Sequence, residues 1–206
     1  MIQITNECNM ELMARYEDNH FDLAIVDPPY GIGASEMTMG AGKKKWDKGK
    51  EWDNEVPTEE YFKELFRVSK KQIIWGGNYF TLPIQRGWIF WDKDIREGLS
   101  FSDGELAWTS FDRVLKRCFI PYSGFRGADN GGKIHPTQKP VKLYEWQLMR
   151  YAEEGNKILD THLGSGSIAL ACHNLGFDLT ACELDKDYYL AATKRLKEHQ
   201  QQLTMF

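Results

Sequence analysis

The stretch Asp27-Pro-Pro-Tyr30 ends an apolar run and combines groups that could bind an amine. The Asp27 carboxylate accepts hydrogen bonds, and the carbonyls of Pro28 and Pro29 accept them without a neighbouring N–H of their own residue. Tyr30 adds a flat aromatic face. A row of acceptors beside an aromatic plate predicts a site for an exocyclic amino group on a planar base.

A glycine loop is the second candidate for chemistry, in the sequence LDTHLGSGS that begins at Leu159. Gly164 and Gly166 allow a tight turn and a close approach of the backbone to a ligand. Glu183 ends the next predicted strand about 20 residues downstream, where an acidic side chain binds ribose hydroxyls in nucleoside-binding α/β folds. Ala169 replaces the third glycine of the dinucleotide fingerprint, so the loop alone is compatible with NAD, FAD or S-adenosylmethionine.

The apolar pattern predicts the elements that must position these residues. Strands are expected at 22–26, 72–75, 87–91, 105–109, 113–120, 156–160 and 177–183, and helices from Thr58, over 140–152, over 168–175 and over the last 20 or so residues. The short connection between 105–109 and 113–120 favours a hairpin at the sheet edge. The last quarter is a strand–loop–helix–strand–helix unit, which is typical of parallel sheets. We therefore predict one α/β domain over residues 1–206, with a Rossmann-like, doubly wound, mostly parallel sheet and an antiparallel edge hairpin.

The composition is that of a soluble globular protein. The 206 residues include 30 acidic and 26 basic side chains, and the net charge of -4 argues mildly against a nucleic-acid partner, although it can conceal a local basic patch. No apolar run is long enough for a membrane helix, and the first residues lack the features of a signal peptide, so a cytoplasmic location is predicted. Four scattered cysteines suit a reducing compartment, as small buried hydrophobes rather than metal ligands: Cys8, Cys118, Cys172 and Cys182.

Three motifs in a fixed order resemble those of S-adenosylmethionine-dependent DNA amino-methyltransferases. They are DPPY at 27–30, HPTQKP at 135–140 and DTHLGSGS at 160–167. Because the catalytic motif precedes the cofactor motif, the order is similar to that of the circularly permuted β group, many of whose members are restriction–modification or phage enzymes. The stretches IIWGGNYF, GWIFWDK and FSDGELAWTSFDR also resemble phage-type members. The resemblance covers nearly the whole chain and implies a circularly permuted methyltransferase fold.

The resemblance implies a role for each residue of the DPPY motif. Asp27 and the Pro28 carbonyl would orient N6 of a flipped-out adenine in DNA towards the methyl donor, and Tyr30 would stack on the base. Pro29 completes the motif. Aspartate in the first position is more similar to adenine enzymes than to cytosine-N4 enzymes.

The resemblance also implies a site for S-adenosylmethionine, with no metal. Thr137 and Lys139 would bind the carboxylate of its methionine end with His135 nearby, and Asp160 would face its amino group. Glu7 stands where the family usually has an aspartate that contacts the adenine. The implied cofactor site comprises Glu7, Asp27, His135, Thr137, Lys139, Asp160, Leu163, Gly164, Ser165, Gly166, Ser167, Glu183 and Leu184.

Basic residues in two segments are candidates for DNA contact. The predicted loop 31–55 contains Lys43, Lys44 and Lys45 together with acidic residues. Contact of these lysines with DNA phosphates and a plain solvated loop are the two interpretations of this segment. The segment 110–133 occupies the family's target-recognition position and contributes Arg113, Arg117 and Arg126.

Several alternatives stay open at this level. A homodimer and a cognate restriction endonuclease are candidate partners beside DNA. A cytosine-N4 enzyme, a catalytically silent DNA- or cofactor-binding protein, a nicotinamide dehydrogenase and a methyltransferase for protein or RNA are the competing functions.

Overall fold

A mixed sheet of eight strands is the centre of the computed structural model, which describes residues 1–33, 56–95, 102–122, 134–135 and 137–203. The strands in this described part are β1 (Ile2–Thr5), β2 (Phe21–Val26), β3 (Ser69–Trp75), β4 (Trp88–Asp92), β5 (Gly104–Thr109), β6 (Lys116–Phe119), β7 (Lys157–Asp160) and β8 (Asp178–Cys182). The helices are α1 (Asn9–Met13), α2 (Glu59–Val68), α3 (Val141–Tyr151), α4 (Ser167–Leu175) and α5 (Lys186–Leu203), with a short 3-10 helix at Gly77–Tyr79.

The strand order is β1-β8-β7-β2-β3-β5-β4-β6. The first five strands in this order run parallel, and β2 pairs with β7 on one side and with β3 on the other. From the centre, the β2–α2–β3 unit extends the sheet one way and the β7–α4–β8 unit extends it the other way. The boundary between β2 and β7 is therefore the point at which ligands bind in open α/β sheets. This result confirms the predicted doubly wound α/β fold.

Alternate residues of β2 face two separate cores. Leu23 and Ile25 belong to a cluster with α3, α4 and α5, whereas Ala24 and Val26 belong to a cluster with α1 and α2. All four side chains are at most 1% exposed, so the strand is buried on both faces. An unbroken apolar run is the sequence signature of such a strand.

The start of α2 and the end of α4 have the capping residues from which the sequence predicts them. The Thr58 hydroxyl accepts a hydrogen bond from the backbone N–H of Tyr61 at 3.3 Å, and α2 begins at the next residue, Glu59. Helix α4 ends at Gly176, whose φ of 76° is the left-handed conformation that glycine adopts without strain. The predicted start of α2 and the predicted end of α4 are confirmed.

The predicted hairpin between 105–109 and 113–120 is wrong in its partners. Strand β5 pairs antiparallel with β3 on one side and with β4 on the other, and β6 pairs parallel to β4 at the sheet edge. The strand at the edge is also shorter than predicted, because only residues 116–119 pair. The short connection between β5 and β6 therefore does not form a hairpin. The antiparallel hairpin consists of β4 and β5, which are joined by a longer connection.

The amino-terminal elements β1 and α1 are additions to the sequence prediction. Strand β1 lies at the other edge of the sheet, paired to β8, and brings the residues after Thr5 to the carboxyl edge. Among the described residues, no helix is both long enough and apolar enough to cross a bilayer. The four cysteines are free and three of them are buried, in agreement with their interpretation as small hydrophobes.

Candidate active site

Five parallel strands end at the same edge of the sheet, and the residues at these ends include the predicted acids. Glu7 lies just after β1, Glu183 follows β8, Asp160 ends β7, Asp27 follows β2 and Gly76 follows β3. Residues that are distant in the sequence thus lie along one edge, because the carboxyl ends of parallel strands share it.

A cavity of about 540 Å³ opens at this edge. Its volume is within the range of about 300–1,000 Å³ that is usual for small-molecule sites. Of the residues predicted to bind a cofactor, those that line it are Glu7, Asp27, His135, Thr137, Lys139, Leu163, Gly164, Ser165, Glu183 and Leu184. The other three, Asp160, Gly166 and Ser167, are buried and are not among the lining residues.

The glycine loop is fixed from behind by α5. Gly164 and Gly166 have φ values of 52° and 74°, both in the left-handed region. Arg195 donates hydrogen bonds to the Ser165 carbonyl at 2.9 Å and to the Ser167 hydroxyl at 3.0 Å. These contacts hold the turn so that its front, at Gly164 and Ser165, faces the cavity.

Asp27 lies in a cluster of hydrogen bonds at the end of the cavity. The Tyr30 hydroxyl donates to Asp27 Oδ1 at 2.6 Å, and Lys139 Nζ donates to Asp27 Oδ2 at 2.5 Å. Lys139 Nζ also lies 3.2 Å from the Tyr30 hydroxyl and 3.0 Å from Glu105 Oε2. Both carboxylate oxygens of Asp27 are therefore engaged, and the buried Lys139 is shared by two acids.

The charges in this cluster determine its protonation. Burial alone lowers the pKa of Lys139, but Asp27 and Glu105 outweigh it and raise this pKa above its ordinary value. Burial raises the pKa of Glu105, whereas Lys139 and Lys93 together lower it to about 2. Burial and the Asp27 charge raise the pKa of Tyr30 well above its ordinary value, so Tyr30 remains a hydrogen-bond donor.

The Tyr30 ring is held by aromatic and backbone contacts. Its ring stacks on Tyr79 with centroids 5.1 Å apart and an interplanar angle of 14°. Gly76 has a φ of 67°, and a Cβ added there would lie 2.2 Å from Tyr30 Cε1. The stretch IIWGGNYF thus contributes Gly76 and Tyr79 to the immediate surroundings of the Tyr30 ring.

Comparisons with known proteins show the family of this chain. The family model described as DNA methylase, for N6 and N4 methyltransferases, matches residues 74–194, more than half of the chain. The chain belongs to this family.

Similar proteins cover most of this DNA methylase. Type II methyltransferase M2.DpnII of Streptococcus pneumoniae is 36% identical over 232 residues, which cover 91% of this chain and 86% of the relative. Type II methyltransferase M.HpaI of Haemophilus parainfluenzae is 26% identical over 230 residues, covering 91% of this chain and 71% of the relative. The crystal structure of the M1.HpyAVI–SAM complex is similar in fold, with a TM-score of 0.68 at 19% identity, over 95% of this chain and all of that one.

Glu183 of the methylase is oriented by the glycine loop. Its Oε2 accepts the backbone N–H of Gly164 at 2.8 Å, and its Oε1 accepts that of Asp185 at 2.9 Å. Burial raises the pKa of this carboxyl above its ordinary value, although these N–H donors oppose the effect. The hydrogen bonds fix the carboxylate on the cavity wall.

Glu7 is already paired in the methylase. Arg15 binds it through two hydrogen bonds, with Nη2 at 2.7 Å from Oε1 and Nη1 at 2.5 Å from Oε2, and this contact lowers the pKa of Glu7 to about 2. Glu7 nevertheless lines the cavity. Its predicted contact with the cofactor's adenine stays a prediction, and so does the contact of Lys139 with the cofactor carboxylate.

Four described residues of the HPTQKP segment line the cavity: His135, Thr137, Gln138 and Lys139. The His135 ring lies across the Tyr188 ring at 4.5 Å, and a Cβ added at Gly164 would lie 3.7 Å from it. The Thr137 hydroxyl is 3.2 Å from His135 Nδ1. The segment therefore packs against the glycine loop, and its predicted contacts with the methionine end of the cofactor stay predictions.

A chain of polar side chains runs along the cavity wall, and three of its four members line the cavity: Asn9, Thr161 and His162. The Tyr61 hydroxyl is 2.8 Å from the Thr161 hydroxyl, which is 2.9 Å from His162 Nδ1, and His162 Nε2 is 3.0 Å from Asn9 Nδ2. Burial lowers the pKa of His162 to about 4, so this ring is neutral at physiological pH. The signal was present in DTHLGSGS, but only the packing of α1 and α2 supplies the partners of His162.

Further residues of the site emerge only from the tertiary structure. Glu105 reaches the cluster from β5, Tyr79 stacks on Tyr30 from the 3-10 helix, and Tyr144 lines the cavity from α3. All three lie far from the DPPY motif in the sequence, and Tyr79 and Glu105 belong to the stretches IIWGGNYF and FSDGELAWTSFDR, to which the sequence assigned no role in the site.

Of the predicted DNA-contacting residues, two are described. Arg117 pairs with Asp92 with Nη2 2.6 Å from Oδ2, and Arg113 donates to the Arg150 carbonyl at 3.0 Å. Neither lines the cavity. The remaining residues, Lys43, Lys44, Lys45 and Arg126, lie outside the described residues, and DNA contact by all six stays a prediction.

Asp160 predicts a pH dependence of stability in the methylase without cofactor. Burial, opposed by the His162 N–H, raises its pKa from 3.8 to about 8. The folded protein holds a proton there that the unfolded chain releases near pH 4, so the stability from this group is present at low pH and is lost as pH rises through 8. The free energy of unfolding should fall by about 2 kcal/mol between pH 6.5 and 8.5.

Urea unfolding of the wild type and its variants across this pH range tests the effect, because the titration of His162 in the unfolded chain, near pH 6.5, is common to all of them. Asp160→Asn should remove most of this decrease, while Asp187→Asn, which removes an acid from the first turn of α5, should keep it. An equal slope in Asp160→Asn and in the wild type would contradict the assignment.

Proposed function

We propose that this DNA methylase transfers the methyl group of S-adenosylmethionine to the exocyclic N6 of a flipped-out adenine in DNA. The observation that carries the proposal is the position of Asp27-Pro-Pro-Tyr30 at the end of β2, beside the glycine loop at the end of β7. Asp27 and Pro29 line the same cavity as Gly164 and Ser165, which supports a site for an amino group beside a site for a nucleoside.

The cavity fits the chemistry of S-adenosylmethionine. Glu183 presents a carboxylate on the wall, where it would accept the ribose hydroxyls. His135 and Thr137 lie across the glycine loop from it, with donors suited to the carboxylate of the methionine end. When bound, this cofactor supplies a methyl group on a positively charged sulfur. The SAM complex of the structural neighbour supports this choice.

The DPPY residues would orient the amine that receives the methyl group. An Asp27 oxygen and the Pro28 carbonyl would accept the two N6 hydrogens, which directs the nitrogen lone pair towards the donor. Tyr30 offers its ring to the base. Removal of the base from the duplex costs a few kcal/mol of pairing and stacking, which contacts between the base and the DPPY residues must offset.

The reaction requires no covalent enzyme intermediate. N6 would receive the methyl group, the electron pair of the broken carbon–sulfur bond would stay on the sulfur, and the proton left on N6 would go afterwards to solvent. The protein contributes orientation and acceptors placed for the charge that develops on N6. Because the pKa of Glu105 is low and that of Lys139 is high, the cluster around Asp27 keeps its charges at neutral pH.

The broader setting also follows from the relatives. Both are named Type II methyltransferases, which supports DNA as the substrate and membership of a restriction–modification pair. A cognate endonuclease, a homodimer and a cytoplasmic location are parts of this proposal. Size-exclusion chromatography with light scattering measures the oligomeric state.

Incubation of the protein with methyl-labelled S-adenosylmethionine and unmethylated DNA tests the reaction. After digestion to nucleosides, the label is expected in N6-methyladenine. Label in N4-methylcytosine would instead assign the enzyme to the cytosine class. Binding of S-adenosylmethionine with no label in any nucleoside would support a catalytically silent protein.

A further inference from the structure

A row of four charged side chains begins at Asp27 and ends outside the cavity lining. Lys139 Nζ lies 2.5 Å from Asp27 Oδ2 and 3.0 Å from Glu105 Oε2. Lys93 Nζ lies 2.5 Å from Glu105 Oε1. Neither Glu105 nor Lys93 lines the cavity. The charges therefore alternate from the catalytic aspartate into the part of the sheet formed by β4 and β5.

The environment of the row makes its charges depend on one another. Lys139 is 3% exposed, and its Nζ lies 5.2 Å from the centroid of the Trp75 ring. Lys93 is 17% exposed and lies 4.8 Å from the Trp91 ring. A buried ammonium group is costly unless a carboxylate neutralises it. Lys139 therefore requires at least one acid at every stage of the reaction.

Binding of the substrate amine changes how strongly the Asp27 carboxylate interacts with Lys139. Both Asp27 oxygens are engaged, one by the Tyr30 hydroxyl and one by Lys139. Each oxygen has a further lone pair, so N6 can donate to Asp27 as well, but a third donor then shares the negative charge that Asp27 offers to Lys139. If Lys139 had Asp27 as its sole acid, this sharing would weaken the neutralisation of a buried cation. Glu105 is the second acid, so Lys139 remains neutralised.

We propose that Glu105 is a positioning residue for methyl transfer, which holds Lys139 and thereby leaves Asp27 free to accept the target amine. This inference rests on the proposed function, because it names a further residue of the same reaction. Glu105 does not touch the substrate in this proposal and acts through Lys139. Removal of its charge leaves Lys139 with Asp27 alone, which tightens that pair and competes with the amine.

Single-turnover methyl transfer at saturating S-adenosylmethionine and DNA measures the effect. Glu105→Gln should lower the rate constant about tenfold or more, since the lost interaction is a charged hydrogen bond. The affinity for S-adenosylmethionine should stay within about twofold of the wild type, because Glu105 does not line the cavity. Glu60→Gln, an exposed change in α2, is the matched control and should keep the wild-type rate.

A second background separates positioning from a merely structural role. Lys139→Met leaves Asp27 and Glu105 as neighbouring, partly buried acids without the cation between them, so that they repel each other. Adding Glu105→Gln to Lys139→Met should therefore raise the rate constant, although the same change lowers it in the wild type. This comparison is available even where Glu105→Gln alone does not fold. An equal loss from Glu105→Gln in both backgrounds would overturn the proposal.

Methyl transfer by the wild type distinguishes a failure of the role proposed for Glu105 from a failure of the proposed function. Wild-type transfer to DNA with an unchanged rate in Glu105→Gln overturns the role of Glu105 and leaves the proposed function standing. No transfer to DNA by the wild type overturns both.

Discussion

Asp27→Asn is expected to lower the rate constant of methyl transfer by about a hundredfold to a thousandfold, as the loss of one placed acceptor typically does. The amide keeps the shape of the carboxylate but replaces one acceptor oxygen with an N–H donor. That donor would face N6 hydrogens or the Lys139 ammonium, and both contacts are unfavourable. Lys139 keeps Glu105 as its counter-charge, so the variant should fold.

The measurement pairs single-turnover transfer with calorimetric binding of S-adenosylmethionine. Binding should stay within about threefold of the wild type, because most of the cavity lining lies on other elements. Asp112→Asn is the control, since it also removes a carboxylate from an ion pair, but one that is 80% exposed. A rate in Asp27→Asn equal to that of the wild type would sink the proposed mechanism.

Gly76→Ala is expected to reduce methyl transfer at least about a hundredfold, because displacement by 1 Å near a reacting group can cost that much. The added Cβ would lie 2.2 Å from Tyr30 Cε1, so the ring or the backbone must move. The φ of 67° adds backbone strain that is independent of the space. Tyr30 would lose both its stacking on Tyr79 and its hydrogen bond to Asp27.

Comparison with Gly155→Ala separates the collision with the Tyr30 ring from the backbone strain. Gly155 has a φ of 81° and no heavy atom within 4 Å of an added Cβ, so it carries the strain without the collision. Thermal unfolding should show a cost of about 1–2 kcal/mol for Gly155→Ala with unchanged activity. Comparable activity in the two variants would show that the contact of Gly76 with Tyr30 is not needed.

The sequence alone determined the chemistry of the two main motifs and the strands that carry them. DPPY required only local information, since an acid, two prolines and a tyrosine define acceptors and a ring wherever they are placed. The run Phe21–Val26 and the loop after Asp160 were equally legible, because burial on both faces and a left-handed turn have direct residue signatures. The parallel arrangement then implied that their ends would meet.

The order of the edge strands was decided by tertiary packing. The short connection after β5 suggested a hairpin with 113–120, yet β6 pairs with β4 instead. Trp91 explains part of this choice, because it is buried and its Nε1 donates to the Ile120 carbonyl at 2.9 Å. Connection length is a weaker constraint than the burial of a large side chain, and the latter is not visible in a local pattern.

The partners of Asp27 were likewise decided by the tertiary structure. Lys139 is legible as a residue of HPTQKP, but its sharing between Asp27 and Glu105 joins the end of β2, β5 and the segment before α3. Electrostatic interactions in a buried site depend on distance in space, and distances across a sheet are set by strand order rather than by sequence separation. The sequence therefore identified the acceptor for the amine, and only the fold identified the charges that hold it in place.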